Sequence, residues 1–284
     1  MTRRPVAPHF YSGDSAAQID AFLAGFDPPV EPAKPLAGIV PHAGWAYSGA
    51  VAAKVVKSLQ PLAPEAFVIF GAVHSWGTRA GAVYAAGSWD TPLGGVRVDE
   101  ELACLLLEKC PRYLADDAGS HAQEHSIEVQ VPMIKHLHPA AGIVPISMPP
   151  VETAVAAGAA VGAALAECGR PVAVLGSTDL THYGPSYGFA PWGAGAAARE
   201  KMRENDRRII DLALAFDADN VVAEAGANSN ACGAGAIAAT VAAAKAMGAD
   251  KAALVEYTTS HDVMGDPPGA FQMAVGYAGI LFGK

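Results

Sequence analysis

Aromatic side chains are scarce in this sequence, at 7% of 284 residues. The hydrophobic fraction is nevertheless 51%, so Ala and Gly carry much of it, and close packing through small side chains is expected. Positive charge is also short: 19 Lys and Arg face 28 Asp and Glu, a formal net charge of -9. That balance argues against a duplex or phosphate-backbone partner, which needs a basic face. It says little about small substrates, because one local basic group overrides it. Cysteine is limited to Cys104, Cys110, Cys168 and Cys232, and no two of them form a CxxC pair. The basic start Met1-Thr-Arg-Arg-Pro runs into Pro, His and Asp rather than an apolar stretch, unlike a secretory signal. Reduced thiols and a cytoplasmic location are therefore expected. No apolar run reaches the length of a membrane span. The nearest candidate, Ala154–Ala166, has a GxxxG spacing at Gly158 and Gly162 and reads as a soluble helix lying close to a sheet. Phosphate-binding glycine motifs are missing too: residues 226–235 match neither Walker A nor GxGxxG, and there is no GxSxG elbow.

What the chain does contain is an alternation of strand-length apolar runs with helical patterns. A chain of this length can bury a sizeable core, and a single domain over 1–284 is expected. The Pro-rich stretch Pro28–Pro35 reads as a loop after a short N-terminal segment. Strands are expected at Ala37–Val40, Ala66–Phe70, Ile143–Met148 and Val172–Gly176. Val83–Ala86 and Val96–Val98 look like a hairpin pair around Gly94-Gly95. Helices are expected at Gly49–Leu59, from an Asp99 cap to Cys110, at Glu124–His136 with Pro132 as a kink or restart, and at Glu152–Cys168. Further helical patterns cover Ala196–Ala215 and Cys232–Met247, and Ala252–Thr258 with Phe271–Leu281 reads as a closing strand pair. This order implies an α/β fold, a central mixed or parallel sheet flanked by helices on both faces. In such sheets ligands collect beyond the carboxyl ends of the strands.

The polar groups fall where that rule points. His42 follows one expected strand, His74 a second, and Asp179 and His182 a third. A lone His after a strand more often caps a loop carbonyl; for the set, a shared site is the better reading. Cys232 lies in Asn228-Ser-Asn-Ala-Cys-Gly-Ala-Gly235, just before an Ala-rich helix, where the helix dipole favours thiolate, both nucleophile and metal ligand. Cys104, Cys110 and Cys168 read as small buried hydrophobes. The run Ser120–Glu128 adds His121, Glu124, His125 and Glu128; on a helix Glu124 and Glu128 would share a face, as would His121 and His125. Its likeness to the zinc-protease HExxH is superficial, since the order is wrong. His125 reads as a proton donor or acceptor near a metal and Glu128 as a structural brace. His136 and His138 read as solvated surface, and His261, in a loop between two late strands, is left ambiguous.

Four segments, in order along the chain, resemble one known family: Pro41-His-Ala-Gly-Trp-Ala-Tyr-Ser-Gly49, Glu124-His-Ser-Ile-Glu-Val-Gln-Val-Pro132, Ser177-Thr-Asp-Leu-Thr-His-Tyr-Gly184 and Ala231-Cys-Gly233. With His9-Phe-Tyr11 and Val275-Gly-Tyr-Ala-Gly279 they look like the Memo family, and the resemblance covers nearly the full length. It implies a fold similar to class III extradiol dioxygenases. It also implies a pocket metal held by two His and one Cys, which map onto His42, His74 and Cys232, with Asp179, His182 and His125 as further pocket residues. Trp45 stands where Tyr is usual, and Gly71-Ala-Val-His74 lacks the common Asn before His. Family members are often encoded beside a radical-SAM protein and an AMMECR-type protein, which suggests a shared pathway. A two-His-one-thiolate set suits Fe(II) or Cu, with Zn as a third candidate. His182 or His125 would supply a proton and Asp179 would orient one of them. The first functional reading is thus a dioxygenase-like oxidoreductase using iron or copper on a small molecule. The alternatives are a non-enzymatic metal- or partner-binding protein with a vestigial pocket and, last, a metal-free Cys232/His hydrolase or transferase.

Overall fold

A computed structural model describes residues 2–11, 13–74 and 79–284. From the N-terminus, β1 (Thr2–Arg3) precedes α1 (Ser15–Phe22), β2 (Pro35–Val40), α2 (Trp45–Ser58) and β3 (Ala66–Gly71). Short strands follow: β4 (Gly81–Val83), β5 (Ser88–Trp89) and β6 (Val96–Arg97). The Asp99 carboxylate accepts the Leu102 N–H at 3.1 Å and so caps α3 (Glu100–Lys109), as its sequence position implies. Next come β7 (Leu114–Asp116), α4 (Val131–Leu137), β8 (Gly142–Ser147), α5 (Thr153–Glu167), β9 (Val172–Ser177) and β10 (His182–Tyr183). The C-terminal third holds α6 (Ala196–Leu214), α7 (Ala218–Asn228), α8 (Ala234–Ala246), β11 (Lys251–Thr259), α9 (Ser260–Met264) and β12 (Ala274–Gly283).

The main sheet runs β10-β12-β2-β9-β3-β8-β4-β7, and β11 also pairs with β12. Its centre, β2-β9-β3-β8, is parallel, while β12 runs antiparallel to β2, β10 and β11. Every residue of β3, β8 and β9 is buried, because helices cover both faces. One core cluster draws on α3, α5, α6, α7 and α8 and the other on α1, α2 and α4. The mixed α/β sheet flanked by helices is therefore as its sequence implies. No helix among the described residues is long and apolar enough to cross a membrane.

Several local expectations are corrected. Val83–Ala86 does not pair with Val96–Val98: β4 joins the main sheet beside β8 and β7, and the hairpin is β5 with β6. The helical stretch Glu124–His136 is reduced to a 3-10 turn at Glu128–Gln130 and α4, with Pro132 in the first turn of a restarted helix. Gly158 and Gly162 do face a close neighbour, but it is α8 rather than the sheet: a Cβ on either would collide with the backbone of Ala239 or Ala243. Cys104 is exposed, not buried. His138 is buried, its ring edge-on to Phe67 and its Nε2 on the Val56 carbonyl, while His136 meets Asp20 at 2.8 Å.

Candidate metal centre and its cavity

The register of the parallel strands brings the site together. Val40 pairs with Ser177 across β2 and β9, and Phe70 with Gly176 across β3 and β9. His42, Asp179 and His74 therefore leave the carboxyl ends of three adjacent strands side by side. The ligating atoms of His42, His74 and His125 all lie within 4.8 Å of one another. The His74 and His125 rings stack 5.0 Å apart, and His42 meets both edge-on.

Each of the first two rings is fixed by a buried acceptor. Ser177 Oγ donates to the Ser126 carbonyl at 2.7 Å, so it accepts from His42 Nδ1 at 3.0 Å and leaves Nε2 with a free lone pair. His74 Nδ1 lies 3.0 Å from Glu124 Oε1, a carboxylate–histidine pair of the kind that orients metal ligands. Glu124 also accepts the backbone N–H groups of His74, His125 and Ser126, each at 2.9 Å. Burial alone would raise the Glu124 carboxyl, but the His74 hydrogen bond and these N–H groups hold it far below the usual carboxylate range. The hydrogen bond to Glu124 raises the His74 imidazole, whereas burial pushes His42 and His125 down.

Cys232 Sγ lies 3.2 Å from His42 Nε2 and accepts the Asp179 N–H at 3.2 Å. It stands beside His42 but outside the mutual three-histidine group. The helix starts at Ala234 rather than at the expected Cys232, so Cys232 sits in the turn just before it. Burial and the Asp179 carboxylate push its thiol up, opposite to the direction in which a helix dipole would act. Gly233 is what lets this turn reach the site: a Cβ there would strike the Ser177 carbonyl and the Thr178 side chain.

Asp179 is buried; it accepts the His42 N–H at 2.7 Å, and burial raises its carboxyl. Through its Nδ1, His182 donates to the Leu180 carbonyl at 3.0 Å and meets Tyr187 edge-on. Asp179, His182 and His125 all line one cavity of about 590 Å³, together with His9, His261 and Tyr277. Sequence reasoning brought all six candidate residues to this region. It missed the part played by Glu124, which depends on a loop rather than on the helix expected there. Glu128 is a brace, taking Arg3, Val6 N–H, Ala7 N–H and the Tyr11 hydroxyl. Trp45 is buried with its indole N–H on the Val129 carbonyl at 3.0 Å.

A parallel-centred α/β sheet with an imidazole cluster at its carboxyl edge defines the class: an α/β protein with a candidate metal centre. The Memo-like protein family matches residues 3–281, and the chain belongs to it. A MEMO1 family protein from Pyrococcus furiosus is 36% identical, covering 100% of this chain and 99% of its own length. One from Methanopyrus kandleri is 38% identical over 87% of this chain and 83% of its own. A solved structure of an uncharacterized Escherichia coli K12 protein covers 86% of this chain and 99% of its own at 15% identity, with a TM-score of 0.49.

Proposed function

We propose that this chain holds one divalent transition metal at its strand-end cluster and works as a metal-dependent oxidoreductase on a small molecule. The observation that carries the reading is the preset pair His42 and His74, each with Nδ1 engaged by a buried partner and Nε2 left for a ligand. Imidazoles fixed in this way lose little freedom on binding an ion. His125 and Cys232 are the candidates for further donors. Two donors on one ion stand about 3 to 3.5 Å apart, and His42 Nε2 and Cys232 Sγ are 3.2 Å apart. The donor set therefore fits a metal, Fe(II) or Cu ahead of Zn. Such an ion would supply redox chemistry with dioxygen, as the dioxygenase-like reading requires. Around it, Asp179 and His182 would exchange a proton with a molecule in the cavity, and the Asp179 carboxylate, already on the His42 N–H, would hold that strand end in place. The pathway link to a radical-SAM protein and an AMMECR-type protein belongs to the same reading.

Anaerobic loading with Fe(II), Cu or Zn, followed by elemental analysis, is expected to give one ion per chain. His42→Ala and His74→Ala should each lose most of the affinity, and Cys232→Ser should weaken Cu more than Fe(II). Unchanged loading in both histidine variants would sink the metal reading. Oxygen consumption with candidate phenols then tests the enzymatic part.

A further inference from the structure

The charge in the cavity wall has one sign. Asp179 and Asp266 line it, and no Lys or Arg does among the described residues. Asp266 is exposed and forms no hydrogen bond or ion pair with the described residues. The arginines drawn to this segment go elsewhere: Arg199 and Arg203 both meet Asp262, at 2.6 and 2.7 Å. Those two contacts tie α9 to α6. Gly265 then ends α9 in the left-handed region, at φ +73°, with its N–H on the Asp262 carbonyl at 3.1 Å. Asp266 thus leaves a fixed turn and stands at the cavity without a counter-charge. With a formal net charge of -9 on the chain, a phosphorylated or carboxylated molecule finds no fixed cation there, whereas a positive one is drawn in.

The remaining wall selects the kind of cation. Tyr47, Tyr187, Met264 and Met273 line the cavity and are exposed, so they form its outer part. Tyr277 lines it from a buried position. Tyr187 is held edge-on against His182, with ring centroids 5.2 Å apart. Burial, followed by Asp179 and the neighbouring phenols, pushes the Tyr187 and Tyr277 hydroxyls up, so these rings stay neutral. Neutral tyrosine faces attract a cation through the ring quadrupole, and thioethers pack against alkyl groups. A compact, strongly hydrated ammonium gains little from such surfaces. An alkylated ammonium, with its charge spread over methyl groups, suits both.

We propose that the cavity takes a small organic cation, its alkylated ammonium lodged at the outer part among Tyr47, Tyr187 and Met273 with Asp266 as counter-charge. This names the substrate class for the function proposed above and rests on that reading in taking this cavity as the ligand site. Tyr47, Tyr187 and Asp266 are exposed whereas His42 is buried, so the ammonium and a metal ion occupy different depths. The uncharged end of the molecule is then the part directed inward.

Two probes of one shape test it: choline and its carbon isostere 3,3-dimethyl-1-butanol, titrated by ligand-observed NMR into the full-length protein as purified. Choline is expected to bind about tenfold tighter. Tyr187→Leu should weaken choline about three- to tenfold and leave the isostere unchanged, and Tyr187→Phe, which keeps the ring, should recover most of the loss. Asp266→Asn should weaken choline roughly threefold, the effect of one exposed charge, and again spare the isostere. Metal loading is measured on the same samples and should be equal in wild type and all three variants. Equal affinity of the two probes for the wild type, no binding of either, an equal loss of both in Tyr187→Leu, or full choline affinity in both Tyr187→Leu and Asp266→Asn overturns the proposal. A preference for choline that depends on Tyr187 and Asp266, in a protein that takes up no metal, supports it and overturns the metal reading alone.

Discussion

At the scale of single residues, Glu124 decides the state of the site more than any ligand does. Its two oxygens take one ring nitrogen and three backbone N–H groups, and it is 4% exposed. A carboxylate there serves only as acceptor, which matches a surrounding made of donors. Glu124→Gln keeps the size but turns half of the group into an NH₂ donor aimed at other donors. Metal affinity should fall about 10- to 100-fold, the usual effect of losing an outer partner of a ligating His. Folding stability should fall by about 1–3 kcal/mol, since buried N–H groups lose their acceptor. Metal titration and urea denaturation of the variant measure both. An affinity within twofold of wild type would show that His74 is not oriented through Glu124. None of this was legible in the sequence, where the 121–128 run imitates helical spacing. Glu124 acts from a loop after the 3-10 turn Ala118–His121, and its partner His74 lies 50 residues away.

At the scale of elements, α6 stitches together two loops that end in the site. Asn205 reaches the Thr181 hydroxyl at 3.0 Å and the Asn228 carbonyl at 2.9 Å, and Asn230 returns to the Asn205 carbonyl at 2.9 Å. One residue on, Asp206 is fully buried, accepting the Thr181 N–H at 2.9 Å and the Tyr257 hydroxyl at 2.8 Å. Burial outweighs those hydrogen bonds and pushes its carboxyl up to about 7. Between pH ~4, where an unfolded Asp ionises, and about pH 7, the native state holds a proton that the unfolded state has released. Asp206 therefore subtracts stability as pH rises through that window, by up to about 1.4 kcal/mol per pH unit. Asp206→Asn resembles the protonated form: its oxygen accepts from Thr181 and its NH₂ donates to Tyr257. The stability of the Asn variant relative to wild type should grow from pH 4 to 7, measured by urea unfolding at several pH values. A gap independent of pH would show that Asp206 ionises in the folded protein as it does in the unfolded chain. The elements themselves differ in how readable they were. The expected strands at Ala66–Phe70, Ile143–Met148 and Val172–Gly176 were plain because strands buried on both faces are continuous apolar runs. Helix α7 was missed, and β4 was given the wrong partner, because a three-residue strand carries no signal of where it pairs.

At the scale of the whole molecule, the N-terminus is a strap across the segment that carries Glu124 and His125. Arg3 is 8% exposed; it meets Glu128 at 2.8 Å, donates to the carbonyls of His121 and Glu124, and lies over the Trp89 ring at 4.1 Å. The Glu128 carboxylate collects three further donors from residues 6–11: the N–H of Val6 and Ala7 and the hydroxyl of Tyr11. Every one of these hydrogen bonds spans more than 110 positions in sequence, so the strap closes only when the rest of the fold is in place. Glu128→Ala would leave a buried guanidinium without its counter-charge, which destabilises by about 3–5 kcal/mol. Glu128→Gln keeps acceptor capacity on one oxygen and should be milder, which guards against an Ala variant too unstable to assay. Neither substitution touches a metal donor. The coupling nevertheless predicts lower metal affinity in both, because the 121–128 segment loses its anchor while His42 and Cys232 keep theirs. Hydrogen exchange should show faster exchange at residues 2–11 and 121–128 together, with the central strands β3, β8 and β9 unchanged. If the two segments exchange independently, or if metal affinity holds while residues 2–11 come loose, the strap is a local clamp and the metal centre stands without it.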